Sequence, residues 1–133
     1  MASATSRASR FGANASYLTE AHKQTALIVQ IESKAGLDAI EQIAAVEGVD
    51  ALFIGPADLA AGLGHLGAPR HPEVQAAIDD AIARIAACGK PSGIFALDSE
   101  DAAKRIRQGV SFLSVGTDIG LLANGAKLLR GQF

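Results

Sequence analysis

A single cysteine, no apolar run of membrane length and no surplus of positive charge are the first things the sequence withholds, and each absence removes a class of protein. Cys88, being alone, cannot close an internal disulfide, so the chain is not a cross-linked secreted scaffold. No stretch approaches the ~20 consecutive apolar residues that a membrane-spanning helix needs. Lys and Arg number 12 against 14 Asp and Glu and are scattered singly, which leaves no basic stripe to hold a phosphate backbone. The opening MASATSRASR has no apolar segment behind it and is therefore no secretory signal, although its Ser, Ala and Arg bias is shared by mitochondrial presequences. The expectation is a cytoplasmic protein without nucleic-acid or membrane partners.

What is present is one domain's worth of globular sequence. Of the 133 residues, 49% are hydrophobic and 20% charged, enough to bury a core and too apolar for a disordered chain. From Leu27 onward, strand-like runs alternate with helix-like segments. The strands are Leu27 to Glu32, VDALFIG ending at Gly55, PSGIFA and VSFLSVG. A helix is expected from Lys34 to Ala45 with Leu37, Ile40, Ile43 and Ala44 on one face. A second opens at Pro72 and carries the stripe Val74, Ile78, Ala81, Ile82 and Ile85. A third runs from Ser99, as N-cap, to Gln108, with Gly109 closing it, and a fourth is capped by Asp118 with Leu122, Ala126 and Leu129 on its face. GPADLAAGLGHLGAPRH is expected to be a loop, FGANASYLTEAH a short helix, and the first ten residues to lack fixed structure.

Strands separated by single helices are parallel neighbours joined by right-handed crossovers, which makes this an α/β protein. Four βα units are half of a TIM (β/α)8 barrel. The domain plan is then a tail and short helix over residues 1–26 and a half-barrel over 27–133. A doubly wound open sheet is the rival, but no G-x-G-x-x-G follows the first strand, and polar residues gather at the strands' carboxyl ends, where barrel enzymes keep their chemistry.

Within LIVQIES, side chains alternate along the strand, so Gln30 and Glu32 share a face and Glu32 sits at its carboxyl end. Three residues past the end of the second strand comes Asp58. Two carboxylates at adjacent strand ends suit one hard cation, Mg²⁺ or Mn²⁺, with room for water or substrate. Spacing alone leaves a second reading open, in which Glu32 caps the following helix and Asp58 caps a turn. Within GPAD, Gly55 relaxes the backbone and the Ala57 and Asp58 amides can hold a substrate carboxylate; the alternative is an ordinary Gly-Pro turn.

LIVQIES, EGVDALFIGPADLAAGLGHLG, HPEVQAAI, GKPSGI and SVGTDIGLL together resemble the HpcH/HpaI aldolases, the metal-dependent class II pyruvate aldolases, and most of all the 2-dehydro-3-deoxyglucarate aldolase members. The resemblance runs from about Arg10 to the C-terminus. It implies a (β/α)8 barrel with Glu32 and Asp58 as ligands of Mg²⁺ or a similar ion. It also places Gln30 beside the bound keto acid, as a catalytic and substrate-contacting residue, and sets the Ala57 and Asp58 amides on the pyruvate carboxylate. The implied reaction is aldol cleavage of a 2-oxo sugar acid to pyruvate and an aldehyde such as tartronate semialdehyde. Alternatives are 4-hydroxy-2-oxoheptanedioate aldolase and a non-catalytic binder of metal and keto acid. LAAGLGHLG after GPAD argues against the citrate lyase β-subunit and malyl-CoA lyase branches.

This sequence departs from the family in lacking its four preceding βα units, which carry a histidine of acid–base catalysis and an arginine on the substrate oxygen. A C-terminal half-barrel of impaired activity is therefore expected, self-associating or pairing with a missing N-terminal half. His22 precedes the first strand and is expected in solvent, whereas His65, His71 and Arg70 lie in the long rim loop, within reach of the mouth. No lysine falls on a strand, where a Schiff-base aldolase needs one: Lys34 follows the first strand, Lys90 precedes the third, and Lys23, Lys104 and Lys127 lie on helices or their flanks. Cys88, near a helix end and remote from the rim, is expected to be a small core or surface residue rather than a nucleophile.

Overall fold

In the computed structural model, which describes residues 5–133, the alternation appears as expected. Strands β1 (Ile28–Ile31), β2 (Ala51–Ile54), β3 (Ser92–Phe95) and β4 (Phe112–Ser114) form one sheet, all parallel, in the order β1-β2-β3-β4. A doubly wound sheet reverses its strand order at a switch point; this one never does, so each crossover advances by one strand, as in a barrel. No helix among the described residues is long and apolar enough to cross a membrane.

The helices are α1 (Tyr17–Gln24), α2 (Lys34–Asp38), α3 (Ile40–Ala44), α4 (Pro56–Gly62), α5 (Pro72–Ala87), α6 (Ser99–Arg107) and α7 (Asp118–Arg130). The helix expected over 34–45 is broken at Ala39, where φ −108° and ψ 12° leave the ladder with an i→i+3 bond to Gly36. The break keeps both Leu37 and Ile40 buried. The loop expected after Gly55 contains α4: Gly55 is its N-cap and Pro56 takes the first helical position, as Pro72 does in α5. Of the first ten residues, 1–4 lie outside the described residues; Arg7–Ser9 form a 3-10 turn with Ser9 buried, rather than lacking structure.

Two caps differ from expectation. Asp98, not Ser99, caps α6 by accepting the Asp101 amide at 2.8 Å, and Thr117, not Asp118, caps α7 by accepting the Gly120 amide at 3.0 Å. In each case the neighbour lies already inside the helix.

One face of the sheet carries Ile31, Leu52, Ile54 and Ile94, all fully buried in a core to which α2, α3, α4 and α5 contribute, including the whole expected α5 stripe. Arg84 of α5 meets both Glu41 oxygens of α3 at 2.6 Å and holds that carboxyl down at about 2. Arg105 on α6 is also fully buried, donating to Asp101 at 2.9 Å, Asp79 at 2.5 Å, Gln75 at 2.6 Å and Gln108 at 3.0 Å. Burial works against the Asp79 charge, but the Gln108, Lys104 and Arg105 bonds prevail and hold its carboxyl below the usual range.

The other face lines up Gln30, Phe53, Gly93 and Phe112 across the four strands. The Phe53 and Phe112 rings meet edge-on at 5.7 Å over Gly93, whose added Cβ would lie 2.7 Å from one ring and 2.9 Å from the other. Helix α7 buries none of its residues: Leu122 and Leu129, expected on a packed face, are exposed within this chain.

Gly93→Ala is expected to cost about 1–3 kcal/mol by overpacking, measured as a lower urea midpoint at unchanged slope. Arg105→Met leaves the buried Asp101 carboxylate without its guanidinium and is expected to cost about 3–5 kcal/mol in the same assay; a loss under about 1 kcal/mol would mean the network contributes only at its exposed edge.

Candidate active site

A cleft of about 400 Å³ opens at the carboxyl ends of β1 and β2. Phe53, Phe95 and Leu97 give it apolar walls, Gly55 and Pro56 its floor at the start of α4, and Gln30, Glu32, Ala57 and Asp58 its polar side. Period 2 on β1 puts Gln30 and Glu32 on the same face, and the Gln30 Nε2 donates to Glu32 Oε2 at 3.3 Å. The amide thus holds the carboxylate on the cleft side of the strand.

The alternative in which the carboxylates serve as caps does not hold. The cap of α2 is Ser33, whose Oγ accepts the Gly36 amide at 3.1 Å, so Glu32 is released from that role. Likewise α4 has no side-chain cap, and Asp58 lies inside its first turn. In that turn Ala57 and Asp58 occupy the second and third positions, whose amides lack an acceptor in the helix ladder.

Gly55 matters here for space. Its φ of −100° is open to any residue, so conformational freedom, the role expected from the sequence, is not what the position demands. A Cβ at Gly55 would instead sit 3.3 Å from Glu32 Oε2 and 4.0 Å from Asp58 Oδ2. The gap left by the missing methyl is thus bordered by one oxygen of each carboxylate. Two anionic oxygens around a small gap are donors of the type a hard divalent cation takes.

The other candidates lie elsewhere. His65 Nε2 meets Glu73 Oε2 at 2.8 Å and its ring stacks on His71 at 3.6 Å, so neither histidine lines the cleft. The bond from His65 and its charge hold the Glu73 carboxyl below the usual range. Arg70 pairs with Asp98, whose carboxyl is lowered first by the Asp101 amide and then by Arg70. His22 is exposed on α1, and Cys88 ends α5, half-buried against the core. No lysine lines the cleft: Lys34 pairs with Asp38 at 2.7 Å, Lys90 donates to the Val49 carbonyl at 2.6 Å, and Lys104 pairs with Asp79 at 2.9 Å. Phe53, Phe95 and Leu97 were not anticipated as lining residues; the inward period of β2 and β3 was the available signal.

Comparison with known proteins gives a consistent result. A profile described as HpcH/HpaI aldolase/citrate lyase matches residues 2–125. A "Pyruvate aldolase" of Rhizobium etli is 52% identical over 98% of this chain and 52% of its own length. A "5-keto-4-deoxy-D-glucarate aldolase" of Escherichia fergusonii is 46% identical over 96% of this chain and 50% of its own. The crystal structure of an HpcH/HpaI aldolase/citrate lyase family protein from Burkholderia cenocepacia superposes with a TM-score of 0.91 at 41% identity, over 99% of this chain and 51% of that one. The chain spans about half the length of the curated relatives it matches.

Gly55→Ala is expected to leave the fold intact and to weaken divalent-cation binding about 10- to 100-fold by filling the gap. Calorimetric titration with Mn²⁺, alongside circular dichroism, checks both halves of that statement.

Proposed function

The chain belongs to the HpcH/HpaI aldolase/citrate lyase family, and on that premise we propose that it carries the cation- and keto-acid-binding half of a class II aldolase site. The substrate class is a 2-oxo sugar acid of the 2-dehydro-3-deoxyglucarate type, cleaved to pyruvate and an aldehyde such as tartronate semialdehyde. The observation that carries this is the gap at Gly55 bordered by Glu32 Oε2 and Asp58 Oδ2. Relatives named for pyruvate and for a keto-deoxy sugar acid support the keto-acid class and leave the aldehyde partner as the finer part of the proposal.

In this reading Glu32 and Asp58 hold Mg²⁺ or Mn²⁺ by their oxygens. When bound, the cation supplies positive charge against the negative charge that develops on the 2-oxo group as the C–C bond breaks. Gln30 fixes the Glu32 carboxylate through its 3.3 Å bond and stands beside the keto acid. The Ala57 and Asp58 amides take the substrate carboxylate, and Phe53 and Phe95 exclude water from the reacting carbons.

Cleavage also requires that the C4 hydroxyl give up a proton and that the departing carbon receive one. Among the residues lining the cleft, none is a histidine, lysine, cysteine or tyrosine. This favours a chain that binds the ligand well and turns it over poorly by itself, the proton-transfer group lying outside these elements.

Titration with pyruvate should show binding that depends on Mg²⁺ or Mn²⁺ and disappears in Glu32→Gln and in Asp58→Asn. Retro-aldol turnover in a coupled pyruvate assay should be weak or absent. Metal-independent binding untouched by both variants would overturn the site assignment, and rapid turnover would show that proton transfer is complete within these residues.

A further inference from the structure

Beyond the cleft, one cluster of side chains has the composition of a transition-metal site. We propose that His65, His71 and Glu73 form a second cation site, for a borderline ion of the Zn²⁺ type, that clips the α4–α5 connection to the start of α5. One ligand atom from each residue lies within 4.8 Å of the other two. His65 Nε2 and Glu73 Oε2 are already 2.8 Å apart, close to the ~3.3 Å edge that a tetrahedral zinc site with ~2.0–2.1 Å bonds requires. Two imidazoles and one carboxylate select a borderline cation over Mg²⁺, and three protein ligands leave a fourth position for water.

The cluster is pre-arranged by its backbone. His65 donates its amide to the Ala60 carbonyl at 2.7 Å, Ala68 to His65 at 2.9 Å and His71 to Ala68 at 2.9 Å. Gly64 and Gly67 take the φ of +87° and +75° that these turns impose. Gln75 Nε2 donates to the Pro69 carbonyl at 2.8 Å, tying the connection to α5. Only side chains need adjust. The cation replaces the proton between His65 and Glu73, and the His71 ring turns out of its 3.6 Å stack. His71 then gives up the long 3.3 Å bond that it accepts from the Glu73 amide, a small loss against a metal–nitrogen bond. The Glu73 side chain is 64% exposed and free to follow.

This site is separate from the cleft. His65 lies beyond the C-terminal end of α4, whose seven residues span about 10 Å, whereas Asp58 lies in its first turn. None of the three residues lines the cleft.

The test uses chelator-treated chain titrated with Co²⁺, followed by visible absorption and by displacement with Zn²⁺. The expected result is one equivalent of Co²⁺ with tetrahedral bands, retained in a Glu32→Gln/Asp58→Asn double variant and lost in His65→Gln and in His71→Asn. Asparagine keeps the helix cap, and metal-free melting curves confirm folding. Glu73→Gln should weaken binding at least about tenfold. Absent bands, bands that survive both histidine variants, or bands lost only in the Glu32/Asp58 variant would overturn the proposal. Mg²⁺-dependent pyruvate binding is indifferent to all three outcomes, so failure here and failure of the aldolase reading are told apart.

Discussion

The register of β1 against β2 is the constraint from which the site follows. Pairing Gln30 with Phe53 and Ile31 with Ile54 sets Glu32 beside Gly55, one step beyond the last paired residues. A slip by one residue would turn Phe53 and Gly55 toward the helices and Ile54 toward the cleft. The buried row of Ile31, Leu52, Ile54 and Ile94 forbids that slip, because each would exchange a dry environment for a wet one. At about 1.5–3 kcal/mol for each large side chain buried, the penalty far exceeds anything two surface carboxylates contribute or cost. The convergence of Glu32 and Asp58 is thus held in place by apolar packing on the opposite side of the sheet.

That opposite side is complete within the chain, and the inward side is not. Ile28, Phe53, Phe95 and Phe112 make the inward face apolar, yet Phe112 is 53% exposed. Ile119, Leu121, Leu122, Leu128 and Leu129 likewise leave α7 apolar and uncovered. Interiors of closed barrels are packed with side chains from alternating strands, and exposed apolar patches of this kind are covered in stable assemblies. Anything that covered the inward face would also set the dielectric around the cleft, and with it the strength of each charge interaction there.

How much of this was legible in the sequence depended on the range of the interaction. The βα alternation and the α5 stripe from Val74 to Ile85 are carried by local periodicity, which needs no tertiary knowledge. Helix α4 is too short to establish a period, and the Gly-rich composition around it masked Pro56 at its first position. At the starts of α6 and α7, two adjacent residues could each cap, so the choice between Asp98 and Ser99, or Thr117 and Asp118, rested on backbone angles. The burial of Arg105 has no local signal in the sequence, because Asp79 and Gln75, the partners that make it tolerable, sit on another helix. The pairing of Gln30 with Glu32 followed from strand geometry alone. The role of Gly55 did not, since the need for space appears only once Glu32 and Asp58 flank it.

The distribution of groups in the cleft has a consequence for the division of labour in such a site. Interactions that grip ground state and transition state alike improve binding without accelerating chemistry. In the proposed site, carboxylate recognition at the start of α4 and exclusion of water by Phe53 and Phe95 would be of that kind, acting on parts of the ligand whose charge does not change. Charge stabilisation at the 2-oxo group and proton transfer at the C4 hydroxyl are the differential terms. In the proposed site a cation held by Glu32 and Asp58 would provide for the first, and no residue lining the cleft is a neutral-range proton carrier for the second. A proton-transfer group typically contributes 10²–10⁴-fold, so separating it from the rest leaves affinity nearly whole while removing most of the rate. Under the proposed function binding and turnover are therefore separable, because the sheet register would secure one and a group beyond the cleft lining would secure the other.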